Sequence, residues 1–149
     1  SKLIDVGTGA GFPAIPLAIS FPSLSVTALD ATRKKLDFIE EVAQRLGLTN
    51  LRVIHGRAEE MQRKPEHHAR YDIAVARAVA PLYRLAPWLL PFVARGGVAA
   101  ALKGSSVVAE LDEYRQKNMP KKEGRSMRWP EPTVTTISAA RTIVVWRIG

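Results

Sequence analysis

Short apolar runs of strand character return along this sequence, with segments of helical spacing between them. Residues 3–6, 25–29 (SVTAL), 51–54, 71–75 and 98–102 are the strand-like runs. A strand that follows a helical crossover pairs parallel to its predecessor, and such crossovers cover both faces of the sheet. Two further β-branched runs, 133–137 and 142–148, have no helix between them, so they predict a hairpin joined near Ala139. The fold class read from this order is α/β and doubly wound: a Rossmann-like, mostly parallel twisted sheet with an antiparallel C-terminal edge hairpin. Ligands of such sheets sit at the carboxyl ends of the strands.

The helical segments differ in clarity. Residues 32–46 are the clearest, with Leu36, Ile39, Val42, Ala43 and Leu46 on one face and Gly47 as the stop. Residues 12–20 carry Pro13 in the first turn, where no N–H is needed. Residues 83–94 predict a helix that Gly96-Gly97 turns back, and 106–116 predict a polar-faced one. No linker divides the 149 residues, so one domain spanning 1–149 is expected. The chain opens directly into a strand without a start methionine, which reads as a piece of something longer.

Composition narrows the function classes. There is no cysteine, which excludes a disulfide scaffold, a thiolate metal site and a cysteine nucleophile. An intracellular, cytoplasmic setting is the simplest reading. The longest apolar stretch, 82–94, is broken by Arg84, Pro87 and Pro91, so no membrane span is expected. Twenty-two Lys and Arg against 14 Asp and Glu give a net charge of +8, which favours polyanionic partners. A basic surface that merely maintains solubility accounts for the same number.

The first loop, "IDVGTGAGFPAIPLAI" at 4–19, places Gly7, Gly9 and Gly11 between a strand and a helix. That arrangement brings backbone N–H groups and a helix start against a ligand. No Gly-Lys-Ser/Thr follows, and the sixth position from Gly7 is Phe12, so neither the phosphate-loop nor the dinucleotide pattern holds. The spacing is G-x-G-x-G after Asp5, and a carboxylate there suits a ligand bearing an amine and a sulfonium. Asp30 ends the second strand, where a carboxylate can accept from two ribose hydroxyls. "GRAEE" follows the third, where Ala58 and Glu59 can meet an adenine edge. Taken singly, Asp30 can also be a helix cap and Glu59 a solvated helix-start residue. Together at one sheet edge, they point to an S-adenosylmethionine site.

"DVGTGAGFPAIPLAI", "GRAEE", "VARAVAPL" and "ALKG", in that order and spacing, resemble the bacterial RsmG family, also called GidB. The resemblance covers the family's catalytic domain but not the helical segment that usually precedes it. It implies transfer of a methyl group from S-adenosylmethionine to N7 of a guanine in 16S ribosomal RNA, with the RNA or small ribosomal subunit as partner. Gly7, Phe12, Ala58, Glu59 and Arg77 match the family's cofactor contacts. Methyltransferases in general add Asp5, Gly9, Gly11 and Asp30. Lys34, Arg57, Lys103 and Arg141 match basic positions linked to RNA or catalysis. A monomer without a metal is expected.

Guanine N7 carries a lone pair and no proton, so the reaction needs placement and water exclusion rather than a general base. No Ser/His/Asp or paired-carboxylate constellation is visible. Arg77 and Lys103 end the fourth and fifth strands and are the candidate catalytic residues. Either can instead be an ordinary solvated strand-end cation. His67 and His68 read as loop residues, and His55 as a possible pocket neighbour. The stretch "PKKEGRSMRW" mixes cations with Trp129 and reads either as a single-strand platform or as a solvated loop. Two rivals stay open: a small-molecule methyltransferase with the same loop, and a non-catalytic RNA-binding scaffold.

Overall fold

The computed structural model describes residues 1–77, 80–104, 107–119, 128–138 and 140–149. One seven-stranded sheet runs through them. Its strands are β1 (Lys2–Val6), β2 (Ser25–Asp30), β3 (Leu51–His55), β4 (Tyr71–Arg77), β5 (Val93–Lys103), β6 (Thr133–Ser138) and β7 (Arg141–Arg147). Their spatial order is β3-β2-β1-β4-β5-β7-β6. The first five pair in parallel, and β7 pairs antiparallel to both β5 and β6. The strand order reverses between β1 and β4, which opens a crevice at their carboxyl ends. Helices α1 (Ala14–Ser20), α2 (Arg33–Leu46), α3 (Ala58–Met61), α4 (Leu82–Leu89) and α5 (Val108–Asn118) complete the fold.

Alternation along the strands separates two cores. Leu3, Val26, Ala28 and Val75 pack with Ala14, Ile15, Leu36 and Ile39 from α1 and α2. Ile4, Val6, Leu29, Ala74 and Ala76 pack on the other face with Leu82, Leu85 and Leu89 of α4 and Tyr114 of α5. Successive side chains of a strand point to opposite faces, so a strand covered on both sides is apolar except where a buried polar group is hydrogen-bonded, as Asp5 is. That is why β1 is buried at every residue after Lys2.

Thr32 precedes α2, and Gly47 ends it at φ +66°, donating its N–H to Ala43 and Gln44 carbonyls. Leu46, expected on the buried face, is exposed at the last residue of the helix, beyond Ala43, its last buried position. The α4 region differs more from expectation. The helix stops at Leu89, a 3-10 turn covers Leu90–Phe92, and β5 begins at Val93. Pro91 cannot donate the next helical bond, which ends the helix early. Gly96-Gly97 therefore sit inside β5, where its pairing with β4 slips between Tyr71 and Ile73. A Cβ at Gly97 would lie 2.6 Å from the Asp72 carbonyl oxygen, so the strands approach there only around glycine. Ser106, most of the basic stretch after Asn118 and the hairpin residue Ala139 lie outside the described residues.

Candidate functional site

The glycine loop leaves β1 at its carboxyl end and is tied at once to β2. The N–H groups of Gly7 and Thr8 both donate to the Leu29 carbonyl, at 2.8 and 2.9 Å. Gly7, Gly9 and Gly11 have φ of +71°, +59° and +92°, a region L side chains rarely adopt. Their surroundings differ. A Cβ at Gly7 or Gly9 would meet nothing within 4 Å, whereas one at Gly11 would overlap the Ile15 and Ile39 side chains. Two glycines thus face open space, and the third is bare so that the loop can seat against α1 and α2.

Asp5 is the loop's internal anchor. It is fully buried, and its Oδ2 accepts from Thr8 Oγ1 at 2.7 Å and from the Ala14 N–H at 3.1 Å. Its Oδ1 is buried with no hydrogen-bond partner among the described residues. Burial pushes its carboxyl up to about 7, against the two hydrogen bonds and the nearby Arg77 charge, which favour the anion.

Asp30 closes the loop from β2. Its Oδ2 accepts from the Gly9 N–H and its Oδ1 from the Thr32 N–H, each at 2.9 Å. Thr32, not Asp30, occupies the cap position of α2. Each carboxylate oxygen still has a lone pair to offer. A cleft of about 400 Å³ opens beside it, lined by Gly7, Asp30, Arg57, Ala58, Glu59 and Arg77, with Leu85, Trp88 and Leu89 of α4 as its apolar wall. Glu59 stands exposed in the first turn of α3, so its carboxylate is available to the cleft. Asp5, Gly9, Gly11 and Phe12 do not line this cleft. The α4 wall escaped the sequence reading, although Leu85, Trp88 and Leu89 share one helical face.

Arg77, at the end of β4, has its guanidinium carbon 5.8 Å from the centre of the Phe12 ring. It also lines a second cleft, of about 660 Å³, with Lys103, Gly104, Ile137, Arg141 and Thr142. Lys103 is not the solvated strand-end lysine that its position allows: it is 6% exposed. Its Nζ donates to the Ala80 carbonyl at 2.7 Å and pairs with Glu110 Oε1 at 2.9 Å. Arg141 is exposed at the start of β7. Lys34 is exposed in the first turn of α2 and lines neither cleft.

The histidines stand apart. His55 lies outside the cleft lining, and its Nε2 is 2.9 Å from the Ala31 carbonyl oxygen. His67 is in a loop, as expected, yet buried, stacked on Tyr71 with Nδ1 2.8 Å from the phenolic oxygen. Burial lowers its pKa from the usual histidine value. His68 is exposed.

A family model described as "GidB: rRNA small subunit methyltransferase G" matches residues 1–131. The chain belongs to this family. A relative in Thermoanaerobacter sp. (strain X514) named "Ribosomal RNA small subunit methyltransferase G" is 49% identical over 115 residues, 77% of this chain and 48% of the relative. A Deinococcus radiodurans protein of the same name is 46% identical over 144 residues, 97% of this chain and 56% of its own length. The chain spans about half the length of the curated relatives it matches. Among solved structures, an rRNA methylase from Streptococcus thermophilus superposes at TM-score 0.65 and 19% identity, covering 100% of this chain and 87% of that one. A SAM-dependent methyltransferase from Aquifex aeolicus gives 0.68 at 19% identity, with 99% and 82% covered. The GidB chain therefore has the Rossmann-like methyltransferase fold, with the expected antiparallel C-terminal edge.

Proposed function

We propose that residues 1–149 form the catalytic domain of an enzyme that methylates N7 of a guanine in 16S ribosomal RNA, using S-adenosylmethionine. The observation that carries this reading is that Arg77 belongs to two clefts at once. One is fit for a methyl donor and the other for an anionic acceptor.

The residues of the first cleft fit the donor. Open space stands where a side chain at Gly7 would be, Gly9 just outside the cleft lining is equally open, and Asp5 in the adjoining strand keeps an orphaned carboxylate oxygen. Asp30 would accept from the ribose hydroxyls, and Ala58 and Glu59 would meet the adenine, with Leu85, Trp88 and Leu89 against its ring. Gly9 and Asp5 hold the loop that faces the methionine end, while Gly11 serves by packing. Phe12, beside Arg77, would border the same end. When bound, the donor supplies a sulfonium methyl that guanine N7 attacks with its lone pair, the sulfur keeping the electrons of the broken C–S bond.

The chain's residues have the task of alignment. The second cleft offers Lys103, Arg141 and the Thr142 hydroxyl to guanine O6 and flanking phosphates. Arg77 spans both walls and fixes donor and base relative to each other. Positive charge develops on the base, so these cations orient it rather than stabilise it. Arg57 at the cleft mouth and Lys34 on α2 extend the basic rim. The surplus of 22 Lys and Arg over 14 acids supports RNA over a small-molecule acceptor.

The decisive test maps N7-methylguanine in ribosomal RNA from cells with and without the full-length protein. One guanine in 16S RNA should lose its methyl group when the protein is absent. An unchanged map, with label appearing in metabolites instead, would overturn the RNA assignment.

A further inference from the structure

We propose that Glu110 is a positioning residue for this reaction. It fixes the Lys103 ammonium in place, with N–H capacity left for an acceptor in the second cleft. The inference rests on the reading above that this cleft receives the base.

Lysine has a flexible four-carbon stem and three ammonium donors. At the end of β5, one of those donors goes to the Ala80 carbonyl at 2.7 Å, and the ammonium forms an ion pair with Glu110 Oε1 at 2.9 Å. Ala80 precedes α4, and Glu110 lies in the first turn of α5. The two anchors come from different segments and hold Nζ from different directions. No third partner is present among the described residues, and Lys103 lines the second cleft. One hydrogen bond and one ion pair fix the position of Nζ and leave it N–H capacity for a further acceptor.

Stability alone is a poor explanation of this pair. Removing two opposite charges from water costs several kcal/mol, and a well-packed apolar pair is often as stable or more so. The Lys103 side chain is 4% exposed and that of Glu110 29%, so the ammonium has surrendered its hydration while the carboxylate keeps part of its own. The other two cations of the cleft are held differently: among the described residues neither Arg77 nor Arg141 has an ion pair. Of the three, Lys103 is the one whose charged atom is held in a set place. That suits recognition of one acceptor atom on a base, whereas mobile surface cations suit phosphates.

The test compares full-length wild type with Glu110→Gln, Glu110→Asp, Lys103→Ala and the double variant Lys103→Ala/Glu110→Gln. The readouts are kcat and KM on 16S RNA or small subunits, donor affinity by calorimetry, and Tm. Glu110→Gln should lower kcat about tenfold or more, as a displaced reacting group does, with donor affinity unchanged. Glu110→Asp, which restores the charge on a shorter arm, should recover part of the loss. The double variant should be no slower than Lys103→Ala alone. A Glu110→Gln enzyme with wild-type kcat, or losses that multiply in the double variant, would overturn the proposal. If Glu110→Gln does not fold, Glu110→Asp takes its place, and a wild-type kcat there overturns it equally. A wild type that binds the donor but methylates no RNA would overturn the functional reading and this inference with it.

Discussion

The two clefts that meet at Arg77 are made of different chemistry on different scaffolds. The first is set between parallel strands and lined by main chain, two carboxylates and an apolar helix face. The second borders the antiparallel pair β5–β7 and is lined by Arg77, Lys103 and Arg141, with no carboxylate in its lining among the described residues. Carboxylates accept hydrogen bonds from hydroxyl and amine donors, whereas clustered cations select phosphates and carbonyl oxygens. One sheet edge thus carries two clefts of opposite chemical character.

The sharpest way to test the division starts inside the loop, with glycines that look equivalent in sequence. Gly11→Ala combines a left-handed backbone with overlap against Ile15 and Ile39. It should cost about 2–5 kcal/mol of stability, read by denaturant unfolding. Gly7→Ala has the same backbone strain without the overlap. It should cost only about 1–2 kcal/mol while abolishing measurable donor binding. Equal stability losses would break the distinction between a packing glycine and a ligand-facing one.

Asp30→Ala comes next. It removes the acceptor that holds Gly9 and Thr32 and faces the first cleft. Losing charge-assisted bonds worth about 1.5–3 kcal/mol each should weaken donor affinity roughly a hundredfold. RNA affinity should not change. A parallel loss of both affinities would mean that the clefts are not chemically separate.

Asp5 gives a smaller effect with a defined sign. Its carboxyl moves from the ordinary 3.8 in the unfolded chain to about 7 in the fold. Between those values the folded state keeps a proton that the unfolded state has released. Stability should therefore fall as pH rises through that window, by at most about 1.4 kcal/mol per pH unit. Asp5→Asn should flatten this slope in melts at pH 4, 5.5 and 7. Smallest of all, Arg141→Ala should reduce the salt slope of RNA binding by about one and leave donor affinity alone. A change in donor affinity would place Arg141 in the wrong cleft.

Local chemistry made much of this legible from sequence. The alternation of strands and helices, the helix capped by Gly47 and the glycine loop all follow from periodicity and turn residues. So does the meeting of Gly7, Asp30, Ala58, Glu59 and Arg77, because successive parallel strands end on the same edge. What escaped depends on contacts distant in the chain. Lys103 is buried because Ala80 and Glu110 close over it, and nothing in "ALKG" signals either partner. His67 is buried because Tyr71, four residues on, starts a central strand and carries it inward. Gly96-Gly97 read as a turn, since a glycine pair inside a strand is expected only where another backbone comes close, here at Asp72. Trp88 and Leu85 form a cleft wall, yet their spacing alone describes any core-facing helix.

If donor and base fill the two clefts, the guanidinium shared at the end of β4 makes the two compartments thermodynamically reciprocal. If filling one shifts that side chain, the free energy of filling the other changes, and by the same amount in either order. Residue 77 is then a poor target for adjusting one affinity in isolation, because its substitution is felt on both sides. Glu59 and Arg141 each line a single cleft, so on that condition they are where either partner can be tuned alone.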